Sequence, residues 1–158
     1  MKKSAVSFAV ISAVVFTSLV ACDAIKDDLS QYSKTAVPVY NNYAEKLGEK
    51  FVAAKKASGP EAFLANNREI TALLDDFRIK MEAIKPETRE VQDLNQDCIA
   101  NLTLMEDGSK QLGQAIEKQD TKLAEKAKAK IEEALKADER FREDLKAMEE
   151  KHNVLVKP

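Results

Sequence analysis

The stretch that decides the fold is residues 121–152, TKLAEKAKAKIEEALKADERFREDLKAMEEKH. Its apolar and small side chains recur every three or four residues, which is the spacing of one face of an α-helix. The same pattern returns every seven residues, as it does in helices that pack side by side. It predicts a fourth helix over about residues 121–152, whose stripe consists of Ala124, Ala127, Ile131, Ala134, Asp138, Phe141, Leu145, Met148 and His152.

Three earlier segments carry stripes with the same spacing. The first is predicted to be helical over about residues 29–57, the second over about 60–84, and the third through residues 91–116. Their stripes are Leu29, Tyr32, Ala36, Val39, Tyr43, Leu47, Phe51 and Ala54; Phe63, Asn67, Ile70, Leu73, Leu74, Phe77, Met81 and Ile84; and Val91, Leu94, Cys98, Leu102, Met105, Leu112 and Ile116.

The predicted linkers contain residues that end or begin helices. Gly59-Pro60 and Lys85-Pro86 each suit the end of one helix and the start of the next, and Asp120 suits the N-cap of the fourth. Asp107-Gly108-Ser109 could form a turn, but the stripe continues in phase through it, which favours one continuous third helix. Pro38 leaves two alternatives for the first helix, which either begins there or kinks there.

These helices predict an all-α fold. Because the linkers are short, consecutive helices should be antiparallel neighbours in an up-down-up-down four-helix bundle. The alternative is two long helical hairpins that need a second copy of the chain to cover their apolar faces. We divide the chain into residues 1–21, 22–28 and 29–158, where the last range is the bundle and residues 22–28 are a tether.

The N-terminus has the three parts of an export signal. Met1-Lys2-Lys3 is basic, and residues 5–20, AVSFAVISAVVFTSLV, form an uncharged and mostly apolar run. As a helix this run would span about 24 Å, short of the ~30 Å hydrocarbon core of a membrane. Leu19-Val20-Ala21-Cys22 follows it directly.

These four residues resemble the lipobox of bacterial lipoprotein precursors. The resemblance implies that a diacylglycerol is attached to the thiol of Cys22, with palmitate as a typical acyl chain, and that residues 1–21 are then removed as a signal peptide. The mature protein would be anchored in a lipid membrane and face the periplasm or the cell exterior. Asp23 resembles the inner-membrane retention signal of enteric lipoproteins, but the choice between inner, outer and Gram-positive membranes stays open.

The charge of the mature chain argues against nucleic acid as a partner. Without Lys2 and Lys3, 23 of the 25 basic residues remain against 27 acidic ones, a formal charge of −4. Nucleic-acid binding requires a clustered basic surface, and the lysines from Lys122 to Lys136 alternate with glutamates at the spacing of a solvated helix face.

Residues with catalytic or metal-binding chemistry are scarce. His152 is the one histidine, and a haem ligand at this position lacks both a Met partner in the first helix and a Cys-x-x-Cys-His motif. Cys98 lies within an apolar stripe and is predicted to be a core residue. We therefore predict no catalytic residues, no metal, no cofactor and no enzyme activity.

Asp138 is the exception in the fourth stripe, because it places a carboxylate at a core position. A buried carboxylate needs partners, and Asn67, Asn95 and Asn101 lie near the stripes of the second and third helices. Together the four residues could form an internal polar site that either fixes the helix register or binds a small ligand.

Two functions follow as expectations. The first is a membrane-anchored, non-enzymatic helical module that acts by protein–protein contact in the cell envelope, with another envelope protein or a second copy as its partner. The alternative is a small-ligand binding or sensing bundle with a polar pocket near Asp138.

Overall fold

The computed structural model describes the backbone of residues 10–154 and the side chains of residues 23–154. This part of the chain forms four helices and no strand: α1 (Val10–Lys55), α2 (Pro60–Ala83), α3 (Arg89–Glu117) and α4 (Thr121–Lys151). One apolar core contains residues of all four helices. The prediction of an all-α four-helix bundle is confirmed.

The four helices do not pack equally closely. The backbones of α1 and α2, of α2 and α3, and of α3 and α4 lie against each other along their lengths, and α1 also approaches α3 across the core. The backbones of α1 and α4 stay farther apart than those of the other neighbouring pairs. We call the line where α1 faces α4 the α1–α4 seam.

The start of the first helix differs from the prediction. Residues 23–28, predicted to be a tether, are helical and continuous with α1, because they contain neither Pro nor Gly to interrupt the helix. Asp28 also belongs to the bundle, since its carboxylate accepts hydrogen bonds from Glu87 N (3.0 Å) and Thr88 N (2.7 Å) in the turn before α3. Pro38 lies inside α1, so the helix does not begin there.

The N-terminal predictions lie largely outside the described residues. Residues 1–9 and the side chains of Leu19-Val20-Ala21-Cys22 are among those that the structure does not describe. Within residues 10–154, no helix has an apolar stretch long enough to cross a membrane.

The prediction of a continuous third helix is confirmed, since α3 runs through Gly108 without a break. A Cβ atom built on Gly108 would lie 2.8 Å from Ile131 Cγ1 and 3.3 Å from the carbonyl oxygen of Ala127. Ala127 and Ala134 of α4 are fully buried. The small residues therefore let α3 and α4 approach closely. Asp120 is the N-cap of α4, as predicted, and its carboxylate accepts a hydrogen bond from Leu123 N (3.0 Å).

Replacing Gly108 with Ala is expected to lower the free energy of unfolding by about 1 kcal/mol, because overpacking costs about 1–3 kcal/mol and outweighs the helix-propensity gain of about 1 kcal/mol. Gly48 is the matched control, since nothing outside its own stretch of α1 lies within 4 Å of its Cβ position. Gly48→Ala should therefore raise stability by about 0.5–1 kcal/mol. Urea melts measure the free energy of unfolding of both variants. Stabilisation by Gly108→Ala as well as by Gly48→Ala would contradict the close approach of α3 and α4 at Gly108.

Candidate functional site

The predicted polar residues do not gather into one internal site. Asn95 donates from Nδ2 to the carbonyl oxygens of Met81 (3.3 Å) and Ile84 (3.4 Å) at the end of α2, and its Oδ1 accepts from Tyr32 Oη (3.2 Å). Both carbonyls lie at the C-terminal end of α2, where backbone donors run out, and the carbonyl oxygen of Met81 also accepts from the backbone N–H of Ile84 (3.1 Å). Asn95 therefore caps the C-terminus of α2 and joins it to α1 and α3.

Asn67 makes a similar contact at the other end of the α2–α3 pair. Its Nδ2 donates to the carbonyl oxygen of Ser109 (2.9 Å), and its Oδ1 accepts from Ser109 Oγ (3.0 Å). A Cβ atom on Gly113 would lie 2.8 Å from Asn67 Nδ2, so glycine at this position makes room for the amide. Ser109 is about 21 Å from Asn95 along α3, at 1.5 Å per residue, which separates the two asparagines.

Asn101 contacts Asp138 through the backbone of α4. One orientation of the Asn101 amide gives hydrogen-bond partners to both its NH₂ group and its oxygen. In this orientation Asn101 donates to the carbonyl oxygen of Ala134 (2.6 Å) and accepts from the backbone N–H of Asp138 (2.9 Å). These two groups are four residues apart in α4, so the amide bonds to both ends of one turn. Of the four predicted residues, the structure brings only Asn101 and Asp138 together.

The side chain of Asp138 points into the α1–α4 seam. Its Oδ1 accepts a hydrogen bond from Tyr40 Oη of α1 (2.6 Å), and its Oδ2 lies 3.3 Å from Arg142 Nε. The side chain is 22% exposed, which places it at the edge of the core. Burial, and then the hydrogen bond to Asp138, raise the pKa of Tyr40 well above its usual value. The Tyr40 hydroxyl therefore stays protonated and donates to the carboxylate.

A second hydrogen bond crosses the seam eleven residues farther along α4. Ser33 Oγ donates to Glu149 Oε1 (2.7 Å). Between this bond and the one from Tyr40 to Asp138 lies a cleft of about 140 Å³ that opens to solvent. We call it the seam cleft, and it is lined by Ala36, Val37, Tyr40, Asn41, Met81, Phe141, Arg142, Leu145, Lys146 and Glu149.

The charged groups around the seam cleft differ in how deeply they lie. The carboxylates of Asp138 and Glu149 belong to half-buried residues, and both bond across the seam to α1. The cationic side chains of Arg142 and Lys146 are 58% and 77% exposed. The lining of the seam cleft itself carries two cationic side chains, Arg142 and Lys146, and one carboxylate, Glu149.

A polar groove of about 530 Å³ lies between α2 and α3 and contains a charge network that the sequence analysis missed. Glu106 is 5% exposed, and its carboxylate pairs with Lys110 and, through Oε2, with Arg78 Nε (3.1 Å). Arg78 also pairs with Glu82 (2.7 Å) and Asp75. The pairs within each helix have visible three- and four-residue spacing, whereas the contact between helices depends on the fold.

The remaining candidate residues show no reactive arrangement. Cys98 is 2% exposed, which confirms the prediction of a core residue, and burial raises its pKa to about 12, so the thiol stays protonated. His152 is the C-cap residue of α4. Among the residues that the structure describes, no cluster of three or more His, Cys, Asp or Glu side chains is arranged to hold a metal ion.

Replacing Tyr40 with Phe is expected to lower stability by about 1–2 kcal/mol at pH 7, because the variant loses a hydrogen bond to a charged group at a half-buried site. The raised pKa of Tyr40 makes this contribution fully present below the unfolded-state pKa of about 10 and weaker at higher pH. Urea melts of wild type and variant at neutral and alkaline pH should show a stability difference that shrinks above about pH 10. A stability difference that stays constant over this pH range would contradict a hydrogen bond from the protonated Tyr40 hydroxyl to Asp138.

Comparisons with known proteins give this chain no relative. No family model matches it, and neither does any curated protein or solved structure. Its function must therefore be argued from its own residues.

Proposed function

We propose that this chain is a lipoprotein of the bacterial cell envelope, anchored in the membrane through acylated Cys22. We further propose that its helical bundle acts by non-enzymatic contact with another envelope protein. The lipobox supports the anchor, because a basic start, an apolar run and all four lipobox positions occur in order. Catalysis is left out of the proposal because the one serine–carboxylate pair at the seam cleft, Ser33 with Glu149, has no further described residue that hydrogen-bonds to the carboxylate and orients it as a base.

The continuity of α1 supports a defined orientation at the membrane. Cys22 and Leu29 lie in the same helix, about 10 Å apart along its axis. Asp28 holds this part of α1 against the turn before α3. In the anchored protein the α2–α3 turn would face the membrane, and the α1–α2 and α3–α4 turns would point away from it.

The observation that carries the proposed contact function is the open α1–α4 seam. Closely packed helices bury their apolar stripes against each other, but here the backbones of α1 and α4 stay apart. The seam cleft opens to solvent, and of its lining residues Met81 and Phe141 are buried, whereas Val37, Tyr40 and Leu145 are half-buried. A partner, including a second copy of the chain, could insert an apolar side chain there, as interface anchors do.

Small-ligand binding is the second candidate function. It is favoured by the size of the seam cleft and by the Tyr40–Asp138 hydrogen bond at one end of it. Binding pockets combine an apolar lining with a few placed polar groups, and the seam cleft has both.

The anchor predicts incorporation of labelled palmitate into the wild-type protein and none into Cys22→Ser, because the serine hydroxyl cannot replace the thiolate that receives the lipid. Labelling of growing cells, followed by membrane fractionation and mass analysis of the N-terminus, tests this. The lipoprotein assignment fails if the serine variant is labelled like wild type, or if the wild-type protein begins upstream of Cys22.

The contact function predicts a site-specific crosslink. A photoreactive amino acid at Val37, in the wall of the seam cleft, should yield one adduct of defined mass in native membranes, because the partner is expected to lie within contact distance. Thr103, exposed on α3, is the matched position and should yield none. The same adduct from both positions, or no adduct from Val37, would contradict a contact at the seam.

A further inference from the structure

We propose that one exposed face of α1 is the contact through which two copies of this chain pair in the membrane, with their α1 helices parallel and side by side. We call it the α1 face, and it consists of Val37, Asn41, Ala44, Gly48 and Val52. This inference deepens the proposed contact function by naming a second copy as the partner. It rests on the proposed lipid anchor for the orientation of the two copies.

The α1 face has the composition of a contact surface. Its five residues are spaced three or four apart, so they lie on one side of the helix. Val37 is half-buried, and the other four residues are exposed. The face extends over about 22 Å of the helix and contains no charged residue, although 33% of the chain is charged. A helix face that only meets solvent usually carries charged and polar residues.

Gly48 points to a neighbour outside the chain. Glycine inside a helix is destabilising relative to alanine, and a packing contact is a common reason for it to occur there. The other two helical glycines among the described residues, Gly108 and Gly113, each have a side-chain atom 2.8 Å from the Cβ position. Nothing lies within 4 Å of the Cβ position of Gly48. The close neighbour of Gly48 is therefore expected in another molecule.

Exposed apolar side chains lie on and beside the α1 face. In the described part of the chain the exposed large hydrophobic residues are Val52, Ile79 and Leu135, of which Val52 and Leu135 are each 52% exposed. Val52 belongs to the α1 face. Leu135 lies about one turn from Asp138, which bonds to Tyr40 of α1, so Leu135 is on the side of α4 that faces α1. A second helix on the α1 face would cover both side chains.

The anchor and the missing charges both favour a second copy as this helix. Cys22 and the α1 face belong to one continuous helix, so two copies anchored in the same leaflet hold their α1 faces parallel and at the same height. Residues near the twofold axis of such a pair meet their own counterparts, and a charged residue there would meet a like charge. Asn41 can pair with its counterpart, because an amide both donates and accepts hydrogen bonds.

The contact is small enough to depend on the membrane. Two helices in contact over about 22 Å are expected to bury less than ~1,200 Å², which is the range of weak and transient interfaces. Anchoring confines both copies to one surface and so raises the effective concentration of each for the other. We therefore expect pairing in the membrane.

Disulfide formation in native membranes tests the pairing in the full-length protein. Mild oxidation of Ala44→Cys should give a disulfide-linked dimer, because the two Cα atoms can approach within the ~7 Å that a disulfide requires. Ala53 is the matched control, since it is exposed and lies nine residues, or about two and a half turns, from Ala44 on the opposite side of α1. Ala53→Cys should give at least about tenfold less dimer, because its thiols are too far apart. Wild type is the blank, since Cys98 is 2% exposed.

Equal dimer yields from Ala44→Cys and Ala53→Cys, or no dimer from Ala44→Cys, would overturn the proposal. Labelled palmitate in Ala44→Cys without a dimer would refute this inference and leave the lipid anchor standing. A photocrosslink from Val37 to a different protein, without the disulfide dimer, would refute it and leave the proposed contact function standing.

Gly48→Leu locates the contact. The Cβ position is open in the single copy, so the bundle should fold, but the larger side chain holds two copies apart. Combined with Ala44→Cys, it should reduce the dimer yield at least about tenfold, whereas Ala53→Leu should leave the yield unchanged. A dimer yield unaffected by Gly48→Leu would refute the site. The comparison of Ala44→Cys with Ala53→Cys does not depend on the folding of this variant.

Discussion

Three buried asparagine amides hydrogen-bond to the backbone of a neighbouring helix, and the alignment of the bundle depends on these bonds. Asn67 bonds from α2 to α3, Asn95 from α3 to the end of α2, and Asn101 from α3 to α4. A buried amide that loses its partner costs about 1–3 kcal/mol. A helix shifted by one turn would leave such an amide unpaired, so these bonds oppose alternative registers.

The bundle is open on one side, along the α1–α4 seam. The amides join α2 to α3 and α3 to α4, and the small residues at Gly108 and Gly113 let those helices approach. No such amide joins α1 to α4 among the described residues, where longer side chains cross the gap through the bonds from Tyr40 to Asp138 and from Ser33 to Glu149. The cleft that we propose as a binding site lies between these two bonds. The proposed lipid anchor lies in α1, so membrane attachment and the candidate site share one helix.

The sequence predicts the fold better than it predicts the site, for a physical reason. Helical periodicity shows which face of a helix is buried, and short turns with Gly59-Pro60 or Asp120 mark helix ends, so the four helices could be recognised. Periodicity does not tell which neighbour a buried side chain meets. Asn67, Asn95 and Asn101 were correctly placed near the core, but the single site predicted around Asp138 does not form, because each amide bonds to the helix beside it. The start of α1 was predicted wrongly at Leu29. Residues 23–28 contain no Pro or Gly, so nothing ends the helix between them and Leu29.

The most direct test of register control by asparagine is a distance measurement on Asn101→Leu. Leucine keeps the volume and removes the bonds to Ala134 and Asp138, so the variant can stay folded while losing the constraint. Spin labels on cysteines introduced at exposed Thr103 of α3 and exposed Glu133 of α4, in wild type and variant, report the alignment by pulsed electron paramagnetic resonance. The account predicts one narrow distance distribution for wild type and a broadened or shifted one for Asn101→Leu. Identical narrow distributions would contradict it.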